Sequence, residues 1–345
     1  MTYLDTFLRG YQGYAAYLWR EITQPGWHNY FYWLLAISLF FFSLELLAPW
    51  RRNQPRFRKD FWLDAFYLFF NFFLFSLVVY NAASDVVVRL FNDGLRSLTG
   101  FDLQASNPLR RLPLWAVLLV GFVVRDFIQW WVHRLLHRVP ALWEFHKVHH
   151  SVEQMGFAAH LRYHWMENVV YRTIEYIPLA LLGIGLYDFF LLHLFTLAVG
   201  HYNHSNVQAP NWLTGAIVGL LVAWVAATGS LEVALPFELL PWQQLLVVFG
   251  GILLGGTLLA RVMPYLFNSP GMHIWHHAYE WPAHRRHGVN FGLTLAVWDY
   301  LFGTAWIPSD GRDIRLGFPG VESFPTDFIR QNLHGLGRRD QVQED

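Results

Sequence analysis

A chain of 345 residues with 54% hydrophobic and only 14% charged residues is not composed like a water-soluble globule, in which about a quarter of residues are charged. Lys plus Arg balance Asp plus Glu at 25 each, so no net charge points to nucleic acid. With no cysteine, disulfides, thiolate metal sites, iron–sulfur clusters and cysteine nucleophiles are all excluded.

Residues 1–26 carry Arg9, Arg20 and Glu21 and lack an apolar core followed by a cleavage site, so they read as an interfacial helix and not as a secretory signal. Apolar windows close to the about 20 residues that span a bilayer follow at Tyr30–Trp50, Phe61–Asn81 and Leu112–Val132. A fourth zone, Ile177–Gly200, is broken by Gly183-Ile184-Gly185 and by Asp188, and reads either as one span or as a short hairpin. Two further windows, Leu213–Gly229 and Leu240–Ala260, flank a turn marked by Pro236 and Pro241. The pattern predicts an all-α membrane protein of about six or seven segments, some re-entrant.

Basic residues gather after the first window (Arg51, Arg52, Arg56, Arg58, Lys59), after the third (Arg134, Arg138, Lys147) and near the C-terminus (Arg285, Arg286, Arg312, Arg315). These fall on one side if the N-terminus is outside, and the positive-inside rule makes that side cytosolic. Arg110 and Arg111 fall on the other side and run against the trend.

The chemistry lies in the 17 histidines, which are grouped. His133 and His137 close the third window. His146, His149 and His150 follow, then His201 and His204, and finally His273, His276 and His277. Helical spacing of three or four residues puts the imidazoles of each cluster on one face. Together they offer ten ligands, enough for two metal ions, and two ions held between helices are a way to activate O₂. Imidazole suits iron, zinc, copper and nickel alike, so ligand type leaves the metal open. Zinc-peptidase chemistry fits poorly, because Arg134 stands where that motif needs Glu. A metal transporter would place ionisable groups inside the spans, yet windows 213–229 and 240–260 carry no charge. A haem carrier would need single histidines facing each other within spans, and only His193 sits inside an apolar window. His28 and His334 stand alone and read as ordinary polar residues.

The order HxxxH, HxxHH, HxxH, HxxHH resembles the fatty acid hydroxylase / sterol desaturase superfamily. Its flanks add to the likeness: Arg125-Asp126 before Trp130-Trp131-Val132-His133, Leu142-Trp143-Glu144-Phe145 before His146, Asn268-Ser269-Pro270-Gly271-Met272 before His273, Asn290-Phe291-Gly292, and the run Trp298–Thr304. The similarity covers residues 112–206 and 264–308. It implies that the ten clustered histidines bind two iron ions, with zinc as a possible substitute. Polytopic membrane helices would carry a cytosolic helical cap that holds this dimetal site. The resemblance further implies a multi-pass enzyme that hydroxylates a membrane lipid with O₂ or, alternatively, desaturates a lipid or sterol. No flavin, dinucleotide or haem motif is visible, so electrons are expected from a separate donor protein. His164, in a segment resembling RxHPxE with Trp165 replacing the proline, is expected beside the metal ligands and not among them, although His160 and His164 form another i, i+4 pair. Asp126, Glu167 and Asp299 are candidates to accept the outer imidazole N–H groups, local salt bridges or helix caps being the other reading.

The expected organisation is residues 1–111 for the interfacial helix and first hairpin, 112–206 for the third span and first three clusters, 207–263 for an extra apolar hairpin, and 264–345 for the last cluster and C-terminal region. The extra hairpin contains Gly250-Gly251 and Gly255-Gly256, a small-residue pattern suited to internal helix packing, with a homodimer contact or a lipid channel as the other roles open to it.

Overall fold

The helices begin and end where the local chemistry demands. The computed structural model describes residues 2–75, 81–102, 108–109, 111–182, 184, 186–229 and 239–337. Helix α1 is Tyr3–Thr23 and α2 is Tyr30–Leu47. Helix α3, Phe61–Phe69, runs on as a π turn over Phe70–Leu74, and α4 is Asn81–Thr99. The central helices are α5 (Leu114–Arg138), α6 (Pro140–His150), α7 (Trp165–Leu182) and α8 (Leu186–His204). Then come α9 (Asn211–Thr228) and α10 (Pro241–Leu254), the latter continued by a π turn at Gly255–Leu259 into α11 (Ala260–Leu266). The short helices α12 (Pro270–His276), α13 (Val297–Leu301) and α14 (Phe328–Leu333) complete the chain. The described residues contain no strand, only isolated bridges between Phe267 and Leu295 and between Ala278 and Leu316.

Among the described residues, α2, α5, α9 and the stretch Pro241–Leu266 are long and apolar enough to cross a membrane. The protein is thus an all-helical, multi-pass membrane protein, with fewer such helices among these residues than the apolar windows predict. The Ile177–Gly200 zone is not one span, because α7 stops at Leu182 and α8 starts at Leu186. Gly183 and Gly185 lie outside the described residues, as do Arg110, Pro236, the side chain of Asp188 and positions 76–80 of the second window.

Two joints position the histidines. Pro140 disfavours helical backbone at Val139, which is extended (φ −93°, ψ 113°), so α5 ends there. Pro140 then opens α6 at its first position, where a missing N–H costs nothing. The chain folds α6 back against α5. At α12, Ser269 Oγ accepts the Met272 amide at 3.3 Å and Pro270 takes the first turn, starting a helix whose side chains point His273 and His276 inward.

Helix α9 packs on α10, on the π turn that follows it and on α11. Gly215, Gly219, Ala223 and Ala227 are the buried residues of α9, and the first three face Gly251 and Gly255. A Cβ on Gly219 would strike the Gly251 carbonyl, and one on Gly215 the Gly255 carbonyl. The small-residue stripe therefore lets the two backbones touch inside the chain.

Candidate metal centre

Nine of the ten clustered histidines converge in two buried groups. The first joins His133 and His137 of α5, His146 and His150 of α6 and His276 of α12. The second joins His149 of α6, His204 of α8, His273 of α12 and His277 just after it. Within each group the candidate ligand nitrogens lie within 4.8 Å of one another. The HxxHH clusters serve both groups at once, since neighbouring residues on a helix point in different directions.

The outer ring nitrogens decide the tautomers. His133 Nδ1 faces the Phe291 carbonyl at 2.8 Å, and His276 Nδ1 faces the Val289 carbonyl at 2.8 Å. His149 Nδ1 faces the Arg162 carbonyl at 3.2 Å, and His204 Nδ1 faces the Gly200 carbonyl at 2.8 Å. His146 Nδ1 faces Glu167 Oε2 at 2.8 Å. A carbonyl only accepts, so His133, His149, His204 and His276 donate outward from Nδ1 and turn the lone pair of Nε2 inward, and an ionised Glu167 carboxylate holds His146 in the same way.

Those inward nitrogens crowd each other. His133 Nε2 is 3.1 Å from His146 Nε2, and His149 Nε2 is 3.3 Å from His204 Nε2. Two lone pairs at that range repel unless a cation lies between them. Nitrogens bound about 2.1 Å from one ion and about 90° apart are about 3 Å from each other, so the spacing fits metal ligation. His137 Nε2 is likewise buried with no hydrogen-bond partner. Burial holds His146, His149, His150, His273, His276 and His277 well below the ordinary imidazole range, which keeps them neutral and able to ligate. The residues present therefore fit a pair of metal ions.

His201 belongs to neither group. Its Nε2 meets Ser38 Oγ at 3.1 Å and its Nδ1 meets His160 Nδ1 at 3.0 Å, one turn of α8 before His204. His164 also stays outside: it stacks on Phe145 with centroids 4.7 Å apart and accepts the Met166 amide at 3.1 Å. Among the expected carboxylates, Glu167 alone contacts an imidazole. Asp126 accepts from Trp298 Nε1 at 2.8 Å and from the Leu295 amide. Asp299 accepts from the Phe291 and Gly292 amides at 2.9 and 2.7 Å and from Trp130 Nε1 at 3.1 Å. Both acids act one step removed, holding the 291–298 loop whose Phe291 carbonyl orients His133. Lone His334 is tied to Glu144 at 3.0 Å.

Sequence reasoning missed the supporting charges. Asp64 of α3, fully buried, pairs with Arg58 at 2.5 Å and with Arg162. Arg162 also reaches Ser151 Oγ at 3.2 Å, so the residue whose carbonyl holds His149 is itself clamped by side-chain bonds. The charged residues Arg58 and Asp64 near a span end were the available signal. Gly288, at φ 97°, brings the backbone against His137: an added Cβ would lie 3.1 Å from its Nδ1. Gly200 is needed because a Cβ there would occupy the His160 ring.

Residues 118–224 match the model of the fatty acid hydroxylase family, and this stretch contains the first three histidine clusters. The histidine-bearing part of the chain is thus similar to the fatty acid hydroxylase family, in line with the motif order. The chain is similar to ornithine lipid hydroxylase OlsE of Rhizobium tropici, 24% identical over 208 residues that are 60% of this chain and 47% of that protein. It is also similar to very-long-chain aldehyde decarbonylase GL1-10 of Oryza sativa subsp. japonica, 33% identical over 29% of this chain and 33% of that protein. Fatty acid hydroxylase vlmA of Lecanicillium sp is 40% identical over 15% of each chain. The chain thus spans less than half the length of these curated superfamily relatives, and no solved structure matches it.

Proposed function

We propose that the protein is an O₂-dependent lipid hydroxylase that carries two iron ions in the two histidine groups. The observation behind this reading is the facing of Nε2 lone pairs at 3.1 and 3.3 Å, one such pair in each group. An iron pair of this kind supplies O₂ activation and removal of hydrogen from an unactivated C–H bond. The protein's part is orientation and exclusion of water. Carbonyls of Gly200, Arg162, Val289 and Phe291 and the Glu167 carboxylate fix the ring planes. Trp143, Trp281 and Phe291 wall the first group, with centroids 4.9, 5.7 and 5.2 Å from the His137 ring. Imidazole donors bind zinc as well as iron, so zinc can replace iron in protein made in excess.

A lipid substrate is supported by the apolar helices that lead to the centre and by the relatives named as ornithine lipid and fatty acid hydroxylases. The basic loop after α2 packs on the loop after α6: Arg51 Nη2 donates to the Met155 carbonyl at 2.7 Å and Arg58 Nη1 to the Gln154 carbonyl at 3.1 Å. That shared side is cytosolic by the positive-inside rule. Labelling of single cysteines introduced at Pro55 and Arg285, in a chain that has none, tests the topology; opposite-side labelling rejects it.

The reaction is tested by supplying ¹⁸O₂ to iron-loaded protein in lipid and weighing the products. A lipid heavier by one ¹⁸O supports the proposal. An unlabelled alkene makes the enzyme a desaturase on the same centre. An unchanged lipid pool, with iron bound and electrons supplied, rejects both.

A further inference from the structure

The loop that closes the first histidine group also carries exposed positive charge. Between Glu280 and Val289 stand His284, Arg285, Arg286 and His287, with Glu280 the single acid. His284, Arg286 and His287 are exposed, as is Arg138 at the end of α5. Arg286 Nε lies 3.2 Å from His287 Nε2. Arg138 and Arg286 both bear on His287, whose pKa is lowered by partial burial and by these two cations. Arg134, one turn before Arg138, lies over the rings of Trp130 and Trp131.

The inner side of the same loop touches the centre. The Val289 carbonyl orients His276. Trp281, partly buried, has its ring centroid 5.7 Å from His137 and 6.2 Å from His150, and it contacts Trp143 at 6.5 Å. One short segment therefore joins an exposed cationic surface to three imidazoles of the first group, His137, His150 and His276.

We propose that Arg134, Arg138, Arg285 and Arg286, with His284 and His287, form the docking surface for an acidic one-electron carrier protein, and that Trp281 is the contact by which its electrons reach the histidine centre. This rests on the reading of that centre as a redox metal pair. The balance is RH + O₂ + 2 e⁻ + 2 H⁺ → ROH + H₂O, so two reduced carriers are each oxidised by one electron per product. Transient redox encounters bury little area, and charge complementarity supplies their speed and orientation. A lipid headgroup would account for the arginines but not for Trp281, on the same segment, set against the His137 and His150 rings.

The test uses full-length protein in nanodiscs of zwitterionic phosphatidylcholine and an acidic plant-type [2Fe–2S] ferredoxin as probe. Binding is measured on metal-free protein, so it does not depend on turnover. Wild-type binding is expected to weaken about tenfold between about 50 and about 300 mM salt. The R138E/R286E double variant is expected to lose about tenfold in affinity at low salt, whereas Arg330→Glu, outside the surface, keeps it. Equal ferredoxin binding by wild type and R138E/R286E overturns the proposal. In an Arg286→Cys variant bearing a fluorophore, quenching by ferredoxin supports docking, and quenching by brominated lipid in its absence overturns it in favour of headgroup contact. With iron loaded, Trp281→Leu should slow ferredoxin oxidation at least about tenfold at unchanged ferredoxin affinity; an unchanged rate removes Trp281 from the path. Product formation by wild type with dithionite separates the two readings: its absence rejects the oxygenase, while the binding data still decide the docking surface.

Discussion

Replacing Glu167 with alanine removes the acceptor of one imidazole N–H in a dry site. His146 Nδ1 donates to Glu167 Oε2 at 2.8 Å, and both side chains are almost wholly buried. A buried donor left unpaired costs about 1–3 kcal/mol, and loss of a ligand's outer partner weakens a metal by about tenfold to hundredfold. Because His146 serves only the first group, the loss should fall on one ion. The assay is a two-site competition titration of zinc-loaded protein against a chromophoric chelator, zinc being redox-silent. Wild type should hold both ions; Glu167→Ala should release one of them about tenfold to hundredfold more readily and keep the other. Glu167→Gln retains a carbonyl oxygen and should recover most of the difference. If Glu167→Ala holds both ions as tightly as wild type, the orientation argument is wrong. If it releases both equally, the damage is to the fold and not to His146.

His201→Ala should keep both ions, whereas His276→Ala should lose one with membrane insertion intact; elemental analysis that finds His201→Ala short of metal returns His201 to the ligand set. Lowering the pH should release metal and destabilise the fold. The unfolded imidazoles titrate near about 6.5 while the buried ones stay neutral below it, so the unfolded chain takes up the extra protons and stability falls as pH drops through about 6.5, with no gain above it. Melting and metal content that stay flat between pH 8 and 5 would contradict this. Gly219→Leu should destabilise the α9–α10 hairpin by about 1–3 kcal/mol in detergent melting, because its side chain meets the Gly251 carbonyl. Gly250→Leu, with nothing within 4 Å, should melt like wild type, and equal melting of the two variants would show that the stripe does not pack as described.

Periodicity made the histidine clusters readable, because spacing on a helix reports direction about the axis. It does not report which neighbour already occupies that direction. His201 and His204 share a face of α8, yet a three-residue step moves a side chain about 4.5 Å along the axis, and at that level His160 and Ser38 stand in front of His201. The same limit explains the carboxylates. Asp126 and Asp299 stand out in the sequence as candidates to accept the outer imidazole N–H groups, but the carbonyls of Phe291, Val289, Arg162 and Gly200 do most of the orienting. A backbone carbonyl has no side-chain signature, so its part appears only when the loop is folded. The acids are needed because those loops are irregular: Asp299 collects two amides and an indole N–H so that the Phe291 carbonyl can face His133. The centre thus depends on side chains that never face a metal, which is why substitutions at Asp64, Arg162 and Asp299 belong with those at the histidines when its metal affinity is dissected.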